Sequence, residues 1–198
     1  MLNSVTVTPR RTRLSRDDRR RQLVGIGLAK LVDRPIHELS VDDVAAEAGI
    51  SRSLLFHYFP TKADFYRECI AAAGRRILRN TAADPDLPPA EQVRSMVRLF
   101  AEQIDRRRAF YLSLLHGTGA GDVAVVEVYD DIWDRATRRV LTCLDLGPEH
   151  ADVVHAWWMY VGDTALSWSG RPPDRRTRTL EELVDHGVAA LHALVGLR

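Results

Sequence analysis

The chain has 198 residues, of which 45% are hydrophobic and 28% are charged, and its formal net charge is +1. This balance is typical of a globular protein with a substantial buried core, and the length allows one large domain or two small ones. No apolar run reaches the roughly 18 residues needed to span a bilayer, and the arginine-rich N-terminus lacks the apolar core of a signal peptide. We therefore expect a soluble, cytoplasmic protein without a membrane partner.

Positive charge is concentrated at the N-terminus. Residues 1–21 hold seven arginines against Asp17 and Asp18, a net charge of +5. A basic segment on a nearly neutral body predicts a polyanionic partner at that end of the molecule, although a solvated disordered tail accounts for the charge equally well. We treat residues 1–14 as a flexible basic arm.

The elements that follow the arm are predicted to be helical, because a period of about 3.6 residues runs through almost the whole sequence and strand signals are nearly absent. The fold class is therefore all-α. Four helices are predicted to begin at residues that can cap a helix: Ser15, Ser40, Ser51 and Thr61. They are predicted to end near residue 33, at Gly49, before Pro60 and near Thr81.

The stretch DPDLPP at 84–89 is the one clear linker in the sequence. It separates a small N-terminal domain and its connecting helix from a larger C-terminal domain, and we place the two domains at 15–66 and 67–198. Further helices are predicted at about 89–106, 107–116, 122–145, 148–169 and 177–195.

The segment AAEAGISRSLLFHYF has the pattern of a helix-turn-helix. Gly49 provides the positive φ that the tight turn requires. On the second helix, Leu55 and Phe59 are four residues apart and are expected to face the core. The side chains expected to project outward are those of Arg52, Ser53 and His57. Hydrogen-bonding groups of this kind read base edges and phosphates, which predicts a DNA major groove as the partner.

A longer stretch, ELSVDDVAAEAGISRSLLFHYFPTKADFY, resembles the N-terminal domain of the tetracycline-repressor (TetR) family of bacterial regulators, over roughly residues 16–70. The resemblance implies an N-terminal three-helix DNA-binding domain followed by a larger helical domain for ligand binding and dimerisation. It implies a homodimeric repressor, not an enzyme, that binds a palindromic double-stranded DNA operator and is released by a small-molecule effector. It implies no cofactor.

The resemblance also assigns DNA contacts to individual positions. Phosphate contacts are expected from Ser40, Tyr58 and Lys62, and base-facing contacts from Arg52, Ser53, Leu54 and His57. To these we add Ser51, which caps the recognition helix, and the arm residues Arg10, Arg11 and Arg13, which should neutralise phosphates or enter a minor groove. Two positions depart from the family pattern: Ser53, where glycine or alanine is common, and Phe56, where tyrosine is usual.

The same resemblance implies an effector pocket among the C-terminal helices. Candidate lining residues are mostly large and apolar, which predicts a small, largely apolar effector; they are Phe100, Phe110, Tyr111, Leu114, Tyr129, Trp133, Trp158 and Asp163. Aromatic residues of this kind are more often part of a core than of a ligand pocket, so core packing is the alternative explanation. Asp163 lies in an otherwise apolar helix, so it is expected either to orient an effector or to bond within the core. No metal site is predicted, since His150 and His155 are about 140° apart on a helix.

The last predicted helix carries an apolar stripe, which consists of Leu180, Val184, Val188, Leu191 and Val195. We expect this stripe to form the dimer interface, because the neighbouring segment 148–169 is apolar on nearly every face and also needs to be covered. The alternative is that the stripe packs against its own domain.

Two other functions compete with the regulator. A small all-α enzyme or carrier would use the aromatic pocket, but the sequence offers no nucleophile–base or metal spacing and the helix-turn-helix would have no role. A DNA-binding protein without an effector is the second alternative, and ligand-dependent loss of operator affinity distinguishes an effector-controlled regulator from it.

Overall fold

The computed structural model describes residues 14–31, 38–115 and 123–196, with side chains described except at 113–115 and 123–125. Within these ranges the chain forms nine α-helices and no β-strand, which confirms the all-α prediction. The helices are α1 (Arg16–Lys30), α2 (Val41–Glu47), α3 (Arg52–Tyr58), α4 (Lys62–Asn80), α5 (Pro89–Arg106), α6 (Arg108–Leu115), α7 (Val123–Cys143), α8 (Ala151–Ser169) and α9 (Leu180–Val195).

The first helices begin where the capping residues predict. Side-chain oxygens of the four predicted caps each accept a hydrogen bond from a backbone N–H in the first turn; these caps are Ser15, Ser40, Ser51 and Thr61. At the other end of α2, Gly49 has a φ of 64°, as the tight turn requires. α8 and α9 begin about three residues later than predicted. A single turn of 3-10 helix at Pro148–His150 precedes α8, and Thr179 caps α9 through a capping box with Glu182.

The three N-terminal helices pack around a small core. α3 contacts both α1 and α2, and its residues Leu55 and Phe59 are completely buried. The Phe59 ring packs in a T-shaped arrangement with Phe65, 5.1 Å away on α4, and the Arg20 guanidinium lies 4.5 Å from the Phe59 ring centre. Arg20 also donates to the backbone carbonyl of Tyr58, so α1 holds the end of α3 in place.

α4 connects this unit to the rest of the molecule. It packs against α1 on one side and against α7 on the other. Two glycines allow these contacts to be close: a Cβ at Gly27 would lie 2.7 Å from the Cys69 sulfur, and one at Gly74 would lie 2.2 Å from Ile132 Cδ1. The buried apolar residues form one continuous cluster from α1 to α9. The domain boundary between 66 and 67 therefore stays a prediction.

The C-terminal helices pack with α8 at their centre. α8 contacts α5, α6, α7 and α9, and it buries Val154, Trp157, Trp158 and Val161. Trp157 Nε1 donates to the Gly187 carbonyl of α9 at 2.7 Å. At the surface, Arg94 and Arg98 of α5 form ion pairs with Glu181 and Asp185 of α9.

The apolar stripe of α9 corrects one prediction. Val184 and Leu191 are 0% exposed within the single chain, where α9 packs on α5 and α8. A side chain with no accessible surface cannot contact a second subunit, so the assignment of these two residues to the dimer interface is wrong. Leu180, Val188 and Val195, at the edges of the stripe, are half-buried.

Candidate DNA-binding surface and effector cavity

The outer face of α3 presents the residues predicted to meet DNA bases. Arg52, Ser53 and His57 are exposed, and Leu54 is exposed over 39% of its surface. Because Leu55 is buried on the opposite side, the helix keeps a fixed orientation while its polar face remains open. This arrangement suits a helix that enters a major groove.

Arg52 is held by a residue that sequence reasoning did not single out. Its Nη1 lies 2.7 Å from Asp42 Oδ2 on α2, and its guanidinium lies 5.4 Å from the Phe56 ring centre. Both partners of the ion pair are more than half exposed. An exposed pair of this kind contributes about 0–1 kcal/mol, so Arg52 can exchange Asp42 for a base or a phosphate at little cost.

Tyr66 links two of the segments predicted to hold phosphates, those of Lys62 and Ser40. Lys62 Nζ is 4.9 Å from the centre of the Tyr66 ring, and the Tyr66 hydroxyl donates to the Leu39 carbonyl. The start of α4 is thereby fixed against the residue that precedes Ser40. Neither Tyr66 nor Arg20 was predicted as part of this surface, because only their tertiary contacts reveal their role.

The capping serines retain a hydrogen for a phosphate. The Ser40 hydroxyl oxygen accepts from Asp43 N at 3.2 Å, and the Ser51 hydroxyl oxygen accepts from Leu54 N at 3.1 Å. A hydroxyl that accepts one bond can still donate another. Tyr58 is half-buried, with its ring centre 5.6 Å from that of His57 in an edge arrangement. Arg10, Arg11 and Arg13 lie outside the described residues.

Four of the predicted pocket residues line one small cavity: Phe100, Tyr111, Trp133 and Trp158. The Phe100 ring stands edge-on to the other three, at centroid distances of 5.5–5.9 Å. The cavity volume is about 20 Å³, which is enough for roughly one water molecule. The aromatic walls therefore leave little free space between them.

The remaining cavity walls come mainly from α4 and α7, and sequence reasoning did not predict them. They include Leu78 and Thr81 near the end of α4, and Ile132 and Arg139 on α7. Arg139 Nη1 donates to the Leu78 carbonyl at 2.7 Å. No local pattern singles out Arg139, because it lies among the other charged residues of the segment DRATRRV.

The other predicted pocket residues lie elsewhere. Phe110 lines a second small cavity, with Gln103 and Tyr111. Tyr129 stacks edge-on behind Trp133, at 5.9 Å, and the Leu114 side chain lies outside the described residues. Asp163 is exposed and lines neither cavity, so its predicted place in the pocket is wrong: it lies on the face of α8 that points away from the chain's core.

That outward face of α8 adjoins the outward face of α9. Tyr160 is 39% exposed and Leu194 is 56% exposed, and the small residue Ala189 is exposed as well. The Tyr160 hydroxyl forms a hydrogen bond with the His186 ring, which joins the two helices at the surface. These side chains, and not the buried stripe, form the outward surface of the helix pair.

Ionisable groups in the interior are strongly desolvated. Burial raises the pKa of the Cys69 thiol to about 12 and raises the pKa of the Tyr111 hydroxyl. Cys69 and Cys143 are both free. No cluster of metal-binding side chains occurs among the residues that the structure describes. Within the same residues, no helix has the length and apolar character needed to cross a bilayer.

The fold and the open face of α3 define a helix-turn-helix protein with a C-terminal helical domain. Residues 28–69 match the model of the bacterial regulatory proteins of the tetR family. The regulator EthR of Mycobacterium tuberculosis is 45% identical over 53 residues, which are 27% of this chain and 24% of EthR. The transcriptional activator FasR of Mycolicibacterium smegmatis is 39% identical over 57 residues, 29% of this chain and 26% of FasR.

The sequence matches thus cover about a quarter of these relatives, and a solved structure extends the likeness to the whole fold. A tetR-family regulator from Streptomyces coelicolor superimposes with a TM-score of 0.75 at 26% identity, over 91% of this chain and 82% of that chain. Residues 28–69 of the chain thus match the TetR family of bacterial regulatory proteins, and the whole fold is similar to that of a solved tetR-family regulator.

Proposed function

We propose that the protein is a homodimeric transcriptional repressor that binds a palindromic operator through α3 and is released by a small, largely apolar effector. The observation that carries the proposal is the geometry of α3. Buried Leu55 and Phe59 anchor it, while Arg52 and His57 remain exposed on its outer face.

The neighbouring helix ends support the same function. Ser40 caps α2 and Lys62 begins α4, the helices before and after α3; hydroxyl and ammonium donors of this kind hold phosphates and fix the register of a protein on DNA. Phosphate contacts carry no sequence information, whereas α3 reads the bases. The surface thus contains both kinds of contact that specific binding needs.

Dimerisation supplies the second half-site. One short helix reads only a few base pairs, and two-fold symmetry places a second recognition helix about one DNA turn away. The surface best suited to the contact lies on the outward faces of α8 and α9. There, exposed Tyr160 and Leu194 offer apolar area, and exposed Ala189 allows two helices to approach closely.

Effector control would pass through α4. This helix lines the aromatic cavity with Ile77, Leu78 and Thr81, and its first residue, Lys62, lies beside the recognition helix. An effector that enlarges the cavity would displace α4 and change the spacing of the two α3 helices. Couplings of this kind are typically about 1–3 kcal/mol.

Selection from fragmented genomic DNA tests the proposal. The purified protein is expected to enrich one or a few sites that contain an inverted repeat, with two copies of the chain bound at each site. Recovery of fragments without a shared repeat would contradict sequence-specific binding, while a single bound copy would contradict the dimer.

A second candidate function is DNA binding without an effector. The small volume of the aromatic cavity, about 20 Å³, favours it. Once the operator is known, a screen of apolar compounds for release of the operator distinguishes the two functions, because only the effector-controlled protein is expected to lose affinity.

A further inference from the structure

We infer that the effector is an apolar carboxylic acid and that Arg139 recognises its carboxylate. The inference rests on the proposed effector control and names the chemistry of the molecule that enters the aromatic cavity. It follows from the hydrogen-bonding groups that the described part of the cavity presents.

The polar groups of the cavity are mainly donors. Trp158 is 4% exposed, and its indole N–H has no hydrogen-bond acceptor among the described residues. The indole N–H of Trp133 likewise makes no well-formed hydrogen bond, although the Tyr129 hydroxyl is its neighbour. A buried donor without an acceptor is destabilising, so a bound molecule that brings acceptors is favoured.

Arg139 adds a positive charge to the same wall. It is half-buried, and no described carboxylate forms an ion pair with it. Desolvation by burial lowers the pKa of its guanidinium, although an arginine keeps its charge. None of the described lining residues is acidic. A cavity with two indole donors, one guanidinium and apolar walls fits an anion with an apolar body, and it disfavours a neutral or cationic one.

Arg139 also links the cavity to α4, the helix that leads to the DNA-binding unit. The carbonyl that it now contacts, that of Leu78, lies in the last turn of α4, where helix carbonyls lack partners within the helix and a cation is stabilising. A carboxylate is a stronger partner for a guanidinium than a neutral carbonyl. Binding of the acid would therefore draw Arg139 from α4 and weaken the contact between α4 and α7.

The test is a titration of tryptophan fluorescence without DNA, so that its result does not depend on operator binding. The probes are octanoate and 4-phenylbutanoate, each compared with the alcohol of the same chain. We expect both acids to bind about 10- to 100-fold more tightly than their alcohols. This preference is expected to vanish in Arg139→Met and to persist in Arg135→Met, which removes an exposed arginine of the same helix that pairs with Asp131.

A second variant, Trp158→Phe, tests the inference independently in case Arg139→Met does not fold. Trp158→Phe removes one indole donor and keeps an aromatic ring, and it is expected to weaken acid binding severalfold while alcohol binding changes little. The inference is overturned if neither acid shows saturable binding to the wild-type protein, if the alcohols bind as tightly as the acids, or if the acid preference survives in a folded Arg139→Met protein.

Discussion

α3 and α9 are both amphipathic helices, yet they divide their residues differently between core and surface. α3 buries only Leu55 within its own length, with Phe59 directly after it, and leaves a polar face open. α9 buries Leu183, Val184 and Leu191 and leaves small and apolar residues such as Ala189 outside. In both helices the buried face provides stability, and the exposed face is the part available for a partner.

The largest expected effect on stability comes from comparing a buried residue of α9 with an exposed one. Leu191→Glu would place an unpaired charge where no surface is accessible, at a cost of about 3–5 kcal/mol. Leu194→Glu changes a neighbouring residue that is 56% exposed, and the single chain should tolerate it. Chemical denaturation is expected to show severe destabilisation or aggregation for Leu191→Glu only.

Sedimentation of the same two variants tests the outward face. Leu194→Glu is expected to give a folded monomer with reduced operator affinity, because two negative charges would oppose each other across the two-fold axis. A folded dimeric Leu191→Glu protein would show that α9 is packed differently, and an unchanged dimer in Leu194→Glu would move the interface to another surface.

A smaller effect is expected where α4 meets α7. A methyl group at Gly74 would lie 2.2 Å from Ile132 Cδ1, whereas one at Gly25 on α1 would meet nothing within 4 Å. Overpacking costs about 1–3 kcal/mol, and replacing a helical glycine with alanine gains about 0.5–1 kcal/mol. Gly25→Ala should therefore stabilise the protein slightly, and Gly74→Ala should be less stable than it by about 1–3 kcal/mol.

The operator affinities of Gly74→Ala and Gly25→Ala test whether α4 couples the effector cavity to DNA binding. If α4 transmits the effector signal, Gly74→Ala should weaken operator binding in the absence of any effector, while Gly25→Ala should not. Equal operator affinities would argue against the α4–α7 contact as the route of control.

The smallest expected effect concerns the arm. Deletion of residues 1–14 removes Arg10, Arg11 and Arg13, each of which is expected to contact a phosphate. The slope of log K against log salt should become shallower by about 0.9 for each phosphate that is no longer neutralised. Equal slopes for the full chain and the deletion variant would show that the arm does not contact DNA.

Sequence patterns predict the helix-turn-helix well because its signals are local. The caps Ser40 and Ser51, the turn glycine Gly49 and the inward pair Leu55 and Phe59 all act within a few residues of one another. Local rules of capping and turn geometry are enough to place such elements, and the structure agrees with each of them.

The C-terminal domain is less predictable because its contacts are distant in sequence. The stripe of α9 shows that the helix is amphipathic but not which surface covers it, and Val184 and Leu191 pack within the chain. Arg139 meets Leu78 only because α7 packs on α4. Asp163 is a polar residue in an apolar segment, and only the packing of α8 shows that it lies outside.

The central claim is that the open face of α3 reads DNA bases, and fluorescence anisotropy with Arg52→Ala and His57→Ala tests it most directly. The measured quantity is the ratio of affinities for the operator and for a scrambled duplex. Each substitution changes an exposed side chain, so the free energy of unfolding should stay nearly constant. We predict that the ratio falls about 5- to 150-fold in each variant. An unchanged ratio in both folded variants would contradict the assignment of α3 as the recognition helix.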